Sequence, residues 1–148
     1  MKTIPVMLCC SLMILTLACG KDKFETKPRL EIKEYSTKEL FPGQNLVITL
    51  DFFDKEGDIN KDSAVAVINR LNILPLPAGQ DKTDVIAALL PDFTPRDKGE
   101  IIFTLDYGFL KESTVENDTL LFKFSVKDNK GNRADTVVSQ PVVIVKVP

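Results

Sequence analysis

From Arg29 onward, hydrophobic and polar positions alternate with a period of two, the spacing that sends successive side chains to opposite faces of a strand. Leu46, Ile48, Leu50 and Phe52 alternate with Val47, Thr49, Asp51 and Phe53, and Ile101, Phe103, Leu105 and Tyr107 alternate with Ile102, Thr104 and Asp106. The pattern recurs at Leu120, Phe122, Phe124 and Val126 against Leu121, Lys123, Ser125 and Lys127. It runs into Asp128-Asn129-Lys130-Gly131-Asn132, where asparagine and glycine tolerate positive φ, so a hairpin is predicted. Its return limb, 135–138, is cut by Pro141, which lacks a ladder donor and belongs at an edge or at a crossing between sheets. A final strand is predicted over 142–147. Residues 64–71 and 85–90 are strand-like, joined by Pro75, Pro77, Gly79 and a charged loop, and the alanines of the second leave it open between helix and strand.

Six or seven short strands, turn signals between them and no long amphipathic helix predict an all-β fold. The economical architecture is a two-sheet antiparallel immunoglobulin-like sandwich of fibronectin or cadherin kind, spanning 29–148. The tryptophan and the cystine of antibody domains are missing: the chain has no Trp and three Cys, at Cys9, Cys10 and Cys19.

Those cysteines redirect attention to the N-terminus. Lys2 is a positive n-region, Ile4 to Leu17 an apolar h-region, and Thr16-Leu17-Ala18-Cys19-Gly20 reads as a bacterial lipobox. The apolar run is shorter than the ~20 residues a spanning helix needs and holds Pro5. Residues 1–18 are therefore read as a cleaved lipoprotein signal peptide, with the Cys19 thiol accepting a diacylglyceryl group. Cys9 and Cys10 leave with the leader, so the mature domain is held by its core rather than by a disulfide. Residues 19–28 are polar and form a lipidated tether, reaching roughly 30 Å at ~3.3 Å per residue. The predicted location is the cell envelope, at the outer membrane.

Charge and composition narrow the function. The leader carries only Lys2 among the charged residues, so the remainder has 18 Lys and Arg against 21 Asp and Glu. No basic stripe stands out, which argues against nucleic acid. With no histidine, an acylated cysteine and seven scattered glycines, the common nucleophilic triads and phosphate-cradling loops are excluded, and no enzyme is expected. A lipid-tethered module that binds a protein or glycan ligand, or serves assembly, is the leading reading. A purely structural spacer is the alternative. Glycan platforms use exposed aromatic rings, and here there are only Tyr35, Tyr107 and mostly core-patterned phenylalanines.

One segment gathers possible ligands. Asp51, Asp54, Glu56, Asp58, Asn60 and Asp62 place oxygen side chains close together, and calcium prefers such hard donors. Read as an EF-hand from Asp58, the run has Ser63 where glycine is required and Asn69 where the bidentate acid belongs. The expected calcium site is instead cadherin-like and between loops, Asp54 and Asp58 meeting Asp128 and Asn132. The alternative is a charged turn kept soluble by its carboxylates. No other cofactor is implied.

LVITLDFFDKEGDI over 46–59, LPDF over 90–93, GEI over 99–101 and VKDNKGN over 126–132 are together similar to a family of uncharacterised Bacteroidota surface lipoproteins. The family's hallmarks are an acidic, glycine-containing turn after an apolar strand and a later Asp-x-x-Gly-Asn turn; here Glu56-Gly57-Asp58 stands where a further Asp-Gly repeat is frequent. The resemblance implies a single immunoglobulin-like domain behind a lipobox and a cell-surface setting, without an assigned activity. Lys21-Asp22 resembles the charged export signal of such lipoproteins. Asp62-Ser63-Ala64, Asp118-Thr119-Leu120 and Asp135-Thr136-Val137 resemble their O-glycosylation acceptors, with Ser63 and Thr119 the expected sites.

Overall fold

A computed structural model describes residues 27–59, 62–80 and 83–147. The leader, Cys19, the tether as far as residue 26, and Asn60 lie outside the described residues. The strands are β1 (Arg29–Tyr35), β2 (Glu39–Leu40), β3 (Asn45–Phe53), β4 (Ser63–Arg70), β5 (Thr83–Leu89), β6 (Lys98–Asp106), β7 (Asp118–Val126), β8 (Val137–Val138) and β9 (Val142–Ile144), with one helical turn, α1 (Tyr107–Leu110), after β6. They form two facing sheets, one ordered β1-β3-β6 and the other β2-β9-β7-β4-β5, with β8 also paired to β7. This is an immunoglobulin-like β-sandwich, antiparallel except for the short parallel pairing of β2 with β9.

The alternation predicts which residues the sandwich buries. Leu46, Ile48 and Leu50 of β3 and Leu120, Phe122 and Phe124 of β7 have no solvent exposure. Fully burying each such side chain contributes ~1.5–3 kcal/mol. Phe103 of β6 meets Phe124 across the sheets with ring centroids 5.0 Å apart, and Phe124 stacks on Phe122 at 6.1 Å. β7 therefore lies in the centre of its sheet, with Phe103 of β6 packed against it from the other sheet.

Four local expectations change. The ambiguous segment is strand β5, paired with β4 along its whole length. Tyr107 leaves the β6 alternation because Asp106 caps a helical turn, its side chain accepting the Phe109 amide at 2.7 Å. The final strand ends at Ile144 rather than 147. Pro141 marks no crossing between sheets: β8 and β9 both lie along β7, but Lys123 pairs Val138 while Leu120 pairs Val142. The register slips by one residue, a bulge. The Ser139 hydroxyl accepts the Phe122 amide at 2.9 Å, and Tyr35 Oη accepts the Gln140 amide at 3.2 Å.

At the far end of β4, Arg70 turns inward with its side chain fully buried. Its guanidinium donates to the Leu110 carbonyl at 2.6 Å, Asp84 at 2.9 Å and Glu112 at 2.8 Å. Asp118, also fully buried, accepts from Lys111 Nζ at 2.7 Å and from the Glu112 and Ser113 amides at 3.0 Å each. Burial pushes the Glu112 carboxyl above its ordinary value, with Arg70 opposing. The sequence pattern gives no hint of this cluster. Removing one partner strands buried charge, so Asp118→Asn is expected to lower stability by ~3–5 kcal/mol in urea unfolding. Asp84→Asn, at the solvent-facing rim of the same cluster, is expected to lower it by about 1 kcal/mol or less. Equal losses would mean that the cluster is not organised around Asp118.

Candidate functional site

The acidic turn and the late hairpin turn lie at the same end of the sandwich, as the cadherin-like expectation requires. Asn129 N–H donates to the Asp58 carbonyl at 3.0 Å, so the two turns are bonded directly. Gly57 makes the first possible: its φ is +69°, and a Cβ there would stand 3.2 Å from the backbone nitrogen of Arg96.

Asp54 and Asp128 are buried and act inside their own turns. Asp54 accepts the Asp58 amide at 2.9 Å and the Glu56 amide at 3.3 Å. Asp128 accepts the amides of Lys130 at 2.9 Å and Asn132 at 2.7 Å, and the Asn132 side-chain amide at 2.7 Å. Asn132 is thus a donor to Asp128. Carboxylate oxygens of Glu56, Asp58 and Asp128 lie within 4.8 Å of one another. Lys130 serves them as counterion, its ammonium hydrogen-bonded to Glu56 and 3.6 Å from Asp58. Glu56 completes this group, while Asp54 and Asn132, expected as ligands, lie outside it and are engaged within their own turns.

Of the residues resembling glycosylation acceptors, Ser63 opens β4 and is half-buried, its amide donating to Asp62 at 2.6 Å. Thr119 lies within β7 beside Val143, half-buried, its carbonyl accepting from Leu71. The Asp118 that precedes it is wholly inside the Arg70 cluster.

A second feature lies along the side of the sandwich between β5 and β6. The inward row of β5 continues from Asp84 through Ile86 and Ala88 toward Leu90; Ala88 is exposed, and Ile86 and Leu90 are half-buried. Among the described residues no strand of the other sheet is placed beyond the free edge of β6 to cover this row. The inward residues of β6, Ile101, Phe103 and Leu105, keep 7–8% exposure, whereas Leu46, Ile48 and Leu50 on β3 keep none. Ala64 of β4, a small inward residue in the same sheet as β5, lines the opening. Two open depressions of about 440 and 680 Å³ follow this slot, the first mainly apolar, past Leu90, Phe93 and Phe103, the second of mixed character, past Ile86, Leu105 and Phe109 with Asn45, Thr104 and Asp106.

No family model matches the chain, and no curated protein matches it in sequence. Its structure is similar to that of a cohesin module from a family 33 glycoside hydrolase of Clostridium perfringens, at 16% identity and a TM-score of 0.42, covering 80% of this chain and 96% of that one. A sporulation control protein from Bacillus subtilis is similar at 13% identity and a TM-score of 0.41, over 79% of this chain and 49% of that one. A β-glucosidase from Kluyveromyces marxianus follows at 10% identity and 0.37, over 80% and 15%. At these values the likenesses carry no functional argument.

The buried turn carboxylate has a consequence for pH. Burial, and secondarily the nearby Asp58 and Asp128, hold the Asp54 carboxyl above its usual value of 3.8, against the two amides that favour its charge. Folded Asp54 therefore keeps its proton more tightly than the unfolded chain does. Its contribution favours folding at low pH and is lost as pH rises from the ordinary carboxylate range through the raised value. Urea midpoints of Asp54→Asn, followed from about pH 3 to about pH 7, are expected to fall less with rising pH than those of the parent. Parallel curves would remove Asp54 as the source.

Proposed function

We propose that this chain is a lipid-anchored envelope protein whose sandwich is a non-catalytic binding or assembly module, working from its open β5–β6 side. The observation that carries the reading is the uncovered inner row of β5, with Ala88 exposed where a sandwich normally closes. Apolar surface held open beside two sheet edges is a feature of interaction sites rather than of a finished core. Attachment through Cys19 is supported by the lipobox residues Thr16 to Gly20. A photo-crosslinker at Ala88 in native membranes is expected to capture a discrete partner that the same group at Lys146 does not. Equal capture at both positions, or none at Ala88, would sink the binding reading.

Serine has no thiolate to accept a diacylglyceryl group, and acyl chains hold a protein at a membrane through buried methylenes at ~0.8 kcal/mol each. Cys19→Ser is therefore expected to abolish fatty-acid labelling and to leave uncut precursor or a soluble form. Wild-type protein that takes up no labelled fatty acid would refute the anchor.

The clustered oxygens of Glu56, Asp58 and Asp128 favour a second, compatible reading, in which calcium replaces the Lys130 ammonium and braces the turns. A ligand specific for the folded state adds ~2.7 kcal/mol at a hundred times Kd, which is several degrees of melting temperature. Millimolar calcium is expected to raise the melting temperature over that in chelator, and Lys130→Ala to enlarge the gain by removing the competing cation. Asp58→Asn and Asp128→Asn are each expected to remove most of it. Coincident melts of the parent and of Lys130→Ala in the two buffers would leave the turn as a charged surface neutralised from within.

A further inference from the structure

We propose that the open side takes an extended peptide strand from another protein, added to the free edge of β6 so that its alternate apolar side chains cover the inner face of β5. This rests on the binding-module reading above and names the chemistry of the partner.

The backbone of β6 supplies the first argument. Its ladder with β3 continues at one end as Tyr107 N–H to Gln44 O, 3.2 Å, and at the other as Asp54 N–H to Asp97 O, 2.7 Å. Odd-numbered residues of β6 therefore bond to β3, and the amides and carbonyls of Glu100, Ile102 and Thr104 point away from it. Among the described residues none of these groups makes a backbone bond outside the sheet ladders. A row of donors and acceptors at strand spacing is matched by another strand. A helix, whose backbone bonds are internal, leaves the row unpaired.

The slot is the second argument. A strand added beside β6 would lie over β5, with every second side chain pointing at Ile86, Ala88 and Leu90 and the intervening ones outward beside Ile102, which is 60% exposed on the outer face. The two cavities lie in line along this path, so the pockets repeat along the strand direction as a pleated peptide demands. The inner positions of the peptide must be apolar and of moderate size; Gly99, where a Cβ would stand 2.7 Å from the Phe52 ring, lets that ring close the end of the slot.

A second copy of this chain does not fit the vacancy. Its edge strands, β1, β2, β5 and β6, are already in its own sheets and turn their inward rows to its own core or slot, so none of them has side chains to spare for covering β5 of another copy. The tether sequence from Gly20 to Lys27 is charged and lacks alternating apolar residues.

The probe is a short, end-capped, fluorescent peptide in which valine alternates with threonine between terminal lysines, titrated into the full-length protein by anisotropy. Saturable binding is expected, and methylation of the peptide nitrogens that face β6 is expected to abolish it. Ile102→Pro deletes an outward amide that β3 does not use, a change an edge strand tolerates, and should weaken binding about tenfold or more. Ala88→Glu places a carboxylate in the slot at an exposed position without touching the β6 backbone, and should weaken it similarly. Val85→Pro, the matching change on the free edge of β5, should leave affinity within about twofold. The proposal is overturned if the parent does not bind, if the methylated peptide binds equally, or if Val85→Pro abolishes binding while Ile102→Pro does not. A dimer in sedimentation that Ile102→Pro dissociates would assign the edge to a second copy instead. If the membrane partner is still captured by Ile102→Pro and Ala88→Glu proteins, the strand proposal falls while the binding-module reading stands.

Discussion

Two carboxylates without solvent exposure, Asp118 and Asp128, bracket β7 at its two ends, and each leaves its neighbours little choice of position. A buried charge with a missing partner is destabilising by several kcal/mol, so each carboxylate gathers the chain around it. Asp118 draws in Lys111 and the amides of Glu112 and Ser113, which fixes the connection from β6, and stands 3.9 Å from Arg70 of β4. Asp128 draws in the amides of Lys130 and Asn132, which fixes the hairpin and brings it against Asp58. Between them Leu120, Phe122, Phe124 and Val126 lie in the core. With β7 held at both ends, β4 and the pair β8 and β9 take their register from it, and the other sheet is packed against it by Phe103 on Phe124.

The open side follows from that seating. One sheet is three strands across and the other five at its widest, so centring the smaller over β7 leaves β5 beyond its reach. A larger residue than alanine at position 64 would fill part of the gap from below. With alanine there, the slot keeps its depth, and the Arg70 cluster closes it at the Asp84 end without covering Ile86 or Ala88. Rigid charge clusters at the ends and a shallow apolar channel along the side are complementary parts of one packing solution.

What the sequence made legible were the strands with one buried face. β3, β6 and β7 alternate because one row meets the core and the other meets water or a neighbouring strand, and that contrast is what period two records. β5 was ambiguous for the converse reason: neither row is buried, so its alanines have no apolar partner row to stand against. Ala88 facing Ala64 across the inward rows of β5 and β4 was itself the available signal of missing volume. Pro141 announced a lost donor, but the hydroxyl of Ser139 that takes over the Phe122 amide, and so keeps the chain on β7, is a matter of register that local pattern does not carry. The meeting of Asp54 and Asp58 with Asp128 was readable because a connection between the sheets and a hairpin turn can share an end of a sandwich. Arg70 and Asp118 were not, since they become neighbours only through the pairing of β4 with β7.

The direction of chain entry separates the two candidate sites. Arg29 opens β1 opposite Phe53, one residue before Asp54, and Lys27 is ion-paired with Asp135 just past the hairpin turn. The chain therefore enters the domain at the acidic end, and on the proposed attachment through Cys19 that end would face the lipid while the Arg70 cluster would point away. Loops next to the membrane are the ones a partner reaches least easily, so calcium bound there would act by bracing the turns rather than by presenting a ligand surface. The slot runs lengthwise between the two ends. A strand can approach it from the side whichever way the tether swings, and it would meet unpaired β6 backbone and uncovered β5 side chains at once.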